Sequence, residues 1–249
     1  LDENGTTTLR FLVSDDNVFD QKDYPEEFEI IIAGTNSTPY LLGGGVNTIN
    51  IQEDQGLVPL NLSDLEYSPG KGSDEQAQQL TFKVIELPDT TIGTITKADG
   101  RSQVTTGVYS LDEIRNFKFK TAKDGSGSAY FRFEVTDNGT TNGVFDPKTL
   151  LQTIQINVSA VNDIPVVYSA PVSALEDSFE FKVLTNGYKI NAGGGVHEND
   201  QLLSFTITSL PPETLGVAVI KPTGEQVKIG KLYSQQQIEQ IVFNPKPNA

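Results

Sequence analysis

Residues 126–138 read SGSAYFRFEVTDN, and their alternation decides the fold class. Ala129, Phe131, Phe133 and Val135 fall on every second position, with Tyr130, Arg132, Glu134 and Thr136 between them. A period of two sends one set of side chains to each face, so this is a half-buried β-strand that stops at an Asp-Asn turn. Working outward, TLRFLVSDD (8–16), EFEIIIAG (27–34), LTFKVIEL (80–87), TIQINVSAV (153–161) and LSFTITSL (203–210) share the pattern and its β-branched enrichment. Such strands suit antiparallel sheets with one face in water. Helical periodicity is confined to two short stretches. In SLDEIRNF (110–117), Ser110 caps a single turn that carries Ile114 and Phe117 inward, and SQQQIEQIVF (234–243) has the same form. Short strands separated by Gly, Asn and Asp turns predict an all-β sandwich.

Internal repetition sets the organisation. Residues 80–119 (LTFKVIELP, IGTI, a Gly, a Val, a Gly, YSLDEI, FKF) recur in order in residues 203–243 (LSFTITSLP, LGVAV, Gly, Val, Gly, YSQQQI, IVF), about 123 residues later. NGTTTLRFLVSDDN (4–17) matches SGSAYFRFEVTDN, VFD recurs at 18–20 and 144–146, and IIIAGTNSTP (30–39) matches INVSAVNDIP (156–165). The phase of these matches predicts one complete unit over 39–163, preceded by the closing part of a unit (1–38) and followed by the opening part of another (164–249). On that reading the chain is a window on a longer array, and no signal-peptide pattern opens it. The partial units are expected to expose strand edges unless neighbours complete them. Residues 1–38 are candidates to supply the strands that 164–249 lack, in another molecule or in the same polypeptide bent back, with the first favoured because a full sandwich separates the two. A proteolytic or artificial fragment with frayed ends is the plain alternative.

Composition narrows the function classes. Against 18 Lys and Arg stand 33 Asp and Glu, a formal charge of −15, which opposes nucleic-acid binding and favours cations or plain solvation. Cys, Met and Trp are absent, so there is neither a disulfide framework nor a thiolate zinc site. No stretch approaches 18 apolar residues, so no membrane insertion is expected in this segment.

The late strand ending VTDNG, the last strand closing on VNDIP and the early EDS of the next unit resemble tandem cadherin-like repeats of large bacterial extracellular surface and adhesin proteins. The resemblance covers the middle unit fully and its flanks in part. It implies an all-β fold of tandem cadherin-like, Ig-like antiparallel sandwiches, one complete repeat flanked by two partial ones. It also implies a location outside the cell or on its surface, and calcium between neighbouring units. At the second junction it implies a ligand set of Asp137 and Asn138 from the late-strand loop, Asn162 and Asp163 from the linker, and Glu176 and Asp177 from the next unit, with Asp200 closing the site. Calcium takes six to eight oxygens, and these are the right donors. At the first junction Asn36 matches Asn162, but Ser37 stands where Asp163 would; Asp15, Asp16, Glu53, Asp54 and Asp74 remain as donors for a weaker or differently built site. Asn-Asp before a proline is also ordinary turn chemistry, and both readings stand at this point.

Other motifs carry less. LLGGGVN and NAGGGVH lack the spacing of a phosphate loop and read as flexible loops. His197 is the one histidine, without a partner for zinc or a marked nucleophile for a triad. The acids lie at strand ends that recur between units, which suits a repeated structural task better than an active site, so no enzyme is expected. Sequons at Asn4, Asn36, Asn61, Asn138 and Asn157 add little in so Ser/Thr-rich a chain. The expected function is a structural or adhesive cell-surface stalk, adhesin or filament whose partners are neighbouring repeats of the same or another chain, with cell-surface glycans or proteins as further candidates. The alternatives are a carbohydrate-binding module using tyrosines such as Tyr40 or Tyr67, and a self-assembling filament or surface-layer subunit.

Overall fold

A computed structural model describes residues 4–184 and 188–247. The chain divides into two compact units, Leu1–Ala160 and Val161–Ala249. That division falls within a few residues of the 163/164 boundary read from the repeats, and it counts the opening hairpin with the first unit.

In the first unit β1 (Gly5–Ser14) and β2 (Asp23–Ile32) form an antiparallel hairpin with ten paired residues on each strand. The rest is a sandwich. Its strands are β3 (Ile49–Gln52), β4 (Leu57–Pro59), β5 (Thr81–Glu86), β6 (Gly93–Thr96), β7 (Gly107–Tyr109), β8 (Lys118–Thr121), β9 (Gly127–Thr136) and β10 (Thr149–Ser159). One sheet has the order β3-β10-β9-β5-β7 and the other β4-β8-β6. Only β3 on β10 is parallel in the larger sheet. The inward residues of β9 alternate as the sequence predicts, with Phe131, Phe133 and Val135 fully buried. They pack with Ile154 and Ile156 of β10 and Phe82 and Val84 of β5 against Ile95 and Phe119 of the smaller sheet. Between β7 and β8 lies α1 (Leu111–Arg115), one turn long. Ser110 and Glu113 form a reciprocal capping box, and Ile114 and Phe117 enter the core as expected.

The second unit rebuilds part of this plan. Its strands β11 (Phe181–Lys182), β12 (Ser204–Thr206), β13 (Gly216–Ile220), β14 (Leu232–Ser234) and β15 (Ile241–Pro245) correspond to β4, β5, β6, β7 and β8. The pairings repeat: Phe119 opposite Val58 becomes Phe243 opposite Phe181, and Phe82 opposite Tyr109 becomes Phe205 opposite Tyr233. A second turn, α2 (Gln235–Glu239), carries the same capping box on Ser234 and Gln237 and buries Ile238. Among the described residues this unit has no counterpart of the β9–β10 hairpin, and its core is the smaller cluster of Ile220, Val227, Tyr233, Ile238 and Ile241.

The opening hairpin shows the converse. Gly5 opposite Ile32 and Ser14 opposite Asp23 bound it, as Gly127 opposite Val158 and Thr136 opposite Thr149 bound the matching part of β9–β10. Leu9, Phe11, Val13, Phe28, Ile30 and Ile32 hold the places of Phe131, Phe133, Val135, Ile154, Ile156 and Val158, yet all six are 42–55% exposed. Phe11 and Phe28 stack at 5.3 Å and share a face. Full burial of such a side chain is worth about 1.5–3 kcal/mol, so about half of that is forgone at each position.

Candidate metal centres

Antiparallel pairing fixes which acids meet. The C-terminal end of β9 pairs with the N-terminal end of β10, so Asp137 and Ser159 lie at opposite ends of the sandwich, a strand of about 33 Å apart. This regroups the sequence-derived sets. Asp137 and Asn138, assigned by sequence with Asn162 and Asp163, are bonded into the set that holds Asn36. Glu53 and Asp54, assigned with Asn36, lie at the other end, where the Glu53 N–H donates to the Ser159 carbonyl at 2.9 Å.

At the Asp137 end the returning linker is held by side chains. Asn36 donates from Nδ2 to Asp137 Oδ1 (2.7 Å) and to the Asp146 carbonyl (2.8 Å), and its Oδ1 accepts from Gln78 Nε2 (2.8 Å). Asp137 Oδ1 also accepts the N–H groups of Gly139 and Lys148, each at 3.0 Å. Glu75 accepts the Ser37 N–H on one carboxylate oxygen and the Gly72 N–H, at 2.8 Å, on the other. Asn138 Oδ1 accepts from the Gln79 N–H at 2.8 Å. Asn36, Glu75 and Asp137 are all buried. Asp137 Oδ2 and Gln78 Oε1 are buried without a hydrogen-bond partner. Nearby, Lys148 and the Thr141 hydroxyl hold the Asp146 carboxyl below its ordinary range. Asp74 is exposed on the turn beside buried Glu75. Asp15 stands where Asp137 stands in the repeat, but with Asp16 it lies exposed at the tip of the opening hairpin, where its carboxylate caps the Asn17 N–H at 3.1 Å.

At the opposite end Asp54 Oδ1 accepts the Asp124 N–H at 3.3 Å, and both residues have positive φ (60° and 53°). Sequence reasoning passed over Asp124; the Lys-Asp-Gly turn was its only signal.

The second unit repeats the linker clamp. Glu198, 1% exposed, accepts the Asp163 N–H at 2.6 Å, as Glu75 accepts that of Ser37. Gln201 donates to Asn162 Oδ1 at 3.0 Å, as Gln78 does to Asn36. A Cβ at Gly193 would overlap the Glu198 carboxylate, and one at Gly70 would overlap that of Glu75. The run NAGGGVH, expected to be a flexible loop, therefore contains one glycine required by close approach. Asp163 Oδ2 and Glu198 Oε2 are buried without a hydrogen-bond partner. Glu176 and Asp177 occupy the turn that Glu53 and Asp54 form in the first unit, with the same positive φ at Asp177 (63°). Both are exposed, and among the described residues no strand equivalent to β10 lies beside them. Asp200 is exposed too.

Glu75 and Glu198 are the residues that sequence reasoning missed, choosing Asp74 and Asp200 beside them. Their signal was the repeat itself: aligned at the same spacing, the two glutamates superpose and the two aspartates do not. Tyr67, weighed as an exposed sugar-binding tyrosine, is instead a core residue packed edge-on to Phe82 at 5.6 Å, and burial pushes its phenol well above the ordinary range. Tyr40 is half-buried in a short strand paired to the one containing Tyr67.

No protein-family model matches the chain, and no curated protein matches it. Among solved structures, the crystal structure of mouse protocadherin-24 EC1-3 is similar at 13% identity and a TM-score of 0.35, over 95% of this chain. The chain spans 65% of the length of that structure.

Proposed function

We propose that this chain is part of an extracellular structural or adhesive repeat protein, a stalk, adhesin or filament, in which calcium stiffens the linkers. The observation that carries the reading is the repeated clamp. In each unit a buried glutamate and an Asn-Gln pair grip the linker, and the same residues or their hydrogen-bonded neighbours carry buried carboxylate or amide oxygens without a hydrogen-bond partner. Buried carboxylate oxygens normally find a partner, and leaving one without costs free energy. The donors are all oxygens, which fits a hard cation such as calcium and not a soft metal.

The residues that would hold the ion in the second unit are Asn162, Asp163 and Glu198. In the first unit they are Asn36, Glu75 and Asp137. A bound cation would offset the clustered negative charge, and because these residues include the linker's own, it would fix the linker against its sandwich. Nothing in this mechanism uses bond-breaking chemistry, in keeping with a non-enzymatic role.

Isothermal titration of the chain with calcium, magnesium serving as control, tests the reading. Calcium-specific binding that is weakened by Asp163→Ala supports it, with far-ultraviolet circular dichroism unchanged. Absence of calcium binding at millimolar concentration overturns it.

A further inference from the structure

We propose that a basic cleft on the smaller sheet of the first unit binds an acidic saccharide, a residue of a sulfated or carboxylated polysaccharide. The proposal rests on the adhesive role given above and supplies that role with a partner, but it needs no cation at the linkers.

The cleft has a volume of about 280 Å³ and lies over β6 and β8, framed by the turn before β6, the loop after it and the turn after β8. Thr90, Thr94, Arg101, Gln103, Lys120 and Lys123 line it, and no acidic side chain does. Against a formal charge of −15 for the whole chain, that is a local reversal of sign. The fold produces it. Phe119 and Ile95 point into the core, so the period of two sends their neighbours Lys120 and Thr94 to the outer face, where they stand opposite each other across the β6–β8 pair. The left-handed turn at Gly100 (φ 68°) then brings Arg101 back to the same cleft.

These groups are not used by the fold. Among the described residues, the side chains of Thr90, Thr94, Arg101, Gln103 and Lys120 make no hydrogen bond or ion pair with the rest of the chain. The acids that neighbour them in sequence are engaged elsewhere. Asp99 accepts the Ser102 hydroxyl at 2.6 Å and the Arg101 and Ser102 N–H groups at 2.9 Å, and the Arg101 charge is the smallest influence on its carboxyl. Asp124 lies 3.7 Å from the Lys123 ammonium, which leaves Arg101 and Lys120 as the unpaired cations of the cleft. The internal repeat provides a control. Gly224 (φ 67°) makes the turn of Gly100 in the second unit, but Glu225 follows it where Arg101 stands, and Asn244 follows Phe243 where Lys120 follows Phe119. The turn and the strand therefore form without either positive charge.

The lining selects the ligand class. Two unpaired cations call for an anion, and the planar fork of Arg101 suits the paired oxygens of a carboxylate or sulfate. Thr90, Thr94 and Gln103 add groups that both donate and accept, which matches the hydroxyls of a sugar ring beside that anion. No aromatic side chain lines the cleft, so a nucleobase has nothing to stack on. The overall negative charge also opposes an extended nucleic acid.

The test is isothermal titration of the chain, in a chelator, with short oligosaccharides of dextran sulfate and of alginate. Unsubstituted dextran, inorganic sulfate and a single-stranded DNA oligonucleotide serve as comparisons. Arg101→Glu combined with Lys120→Asn installs the residues of the second unit; both side chains are exposed and unbonded, so the melting of the sandwich stays in place. Lys83→Asn combined with Lys228→Glu makes the same change in net charge at exposed positions away from the cleft. The expected result is binding of at least one acidic oligosaccharide and not of dextran, weakened at least tenfold by the cleft variant and less than twofold by the control variant. Absence of binding to both acidic oligosaccharides would overturn the proposal, as would equal loss in the two variants, which would assign the effect to net charge. Inorganic sulfate binding as tightly as the oligosaccharides would make the cleft a free-anion site, and equal affinity for the oligonucleotide a general polyanion site; either refutes it. Because a chelator is present throughout, none of these outcomes bears on calcium at the linkers.

Discussion

Glu75→Ala tests the linker clamp where it is most heavily used. The side chain is 1% exposed and accepts from the Ser37 and Gly72 N–H groups. Truncation leaves both donors without an acceptor, and each buried unpaired donor costs about 1–3 kcal/mol. Part of that is recovered by removing a buried charge, so the net cost is about 2–4 kcal/mol. In a unit of this size 1 kcal/mol moves the melting temperature by about 2–4 °C, which places the expected fall at about 4–16 °C. The assay is calorimetric melting of the first unit in a chelator, so that no cation contributes. A fall below 1 °C would refute the clamp, since it would mean that water or a rearranged turn serves the two donors equally well.

The repeat allows a matched comparison. Phe131→Ala, in the closed core, is expected to cost about 3–5 kcal/mol in urea unfolding, whereas Leu9→Ala, its counterpart on the exposed hairpin, costs under about 1 kcal/mol in the monomer. Equal costs would contradict the exposed placement of Leu9 against the buried one of Phe131. At the turn after β6, the Ser102 hydroxyl and the Arg101 and Ser102 N–H groups pull the Asp99 carboxyl from its ordinary value near 3.8 down to about 2. A depressed folded value means stability present above the unfolded value and lost as pH falls through the folded one. Asp99→Asn should therefore lower the melting temperature at pH 7, with the gap to the parent closing between about pH 4 and pH 2; a gap that is constant with pH would contradict this.

The strands were legible because one face of each is buried and the other wet, which imposes the alternation seen in β9 and β5. Both helical turns were legible from the Ser110 cap and apolar spacing of the first and the matching form of the second, and the reciprocal capping boxes are seen in the structure. The length of β12 was not: LSFTITSL reads as a full strand, but only Ser204–Thr206 pair, and among the described residues they pair with β14 alone. The acidic residues were legible as a class but not as groups. Asp137 and Asn162 lie close in sequence, yet the antiparallel return of β10 carries the chain away from Asp137, and only the three-dimensional pairing brings Asn36 to it. Burial separates Glu75 from Asp74 and Glu198 from Asp200, and in the sequence only the superposition of the two glutamates in the repeat distinguishes them. The glycines at 70 and 193 gave no composition signal, since their role is to leave room for the carboxylates of Glu75 and Glu198 further along the chain.

The central claim is that these clusters bind calcium and thereby fix the linkers. The most direct test is thermal unfolding of the chain with saturating calcium and with a chelator, magnesium serving as control. At a free calcium concentration one hundred times the dissociation constant, one site contributes about 2.7 kcal/mol, enough to raise the transition by several degrees. The account predicts that rise with calcium, little change with magnesium, and its loss in a Glu198→Gln, Asp137→Asn double variant. Melting curves that superpose in calcium and chelator would contradict it and leave the buried carboxylates as clamps on the linker backbone alone.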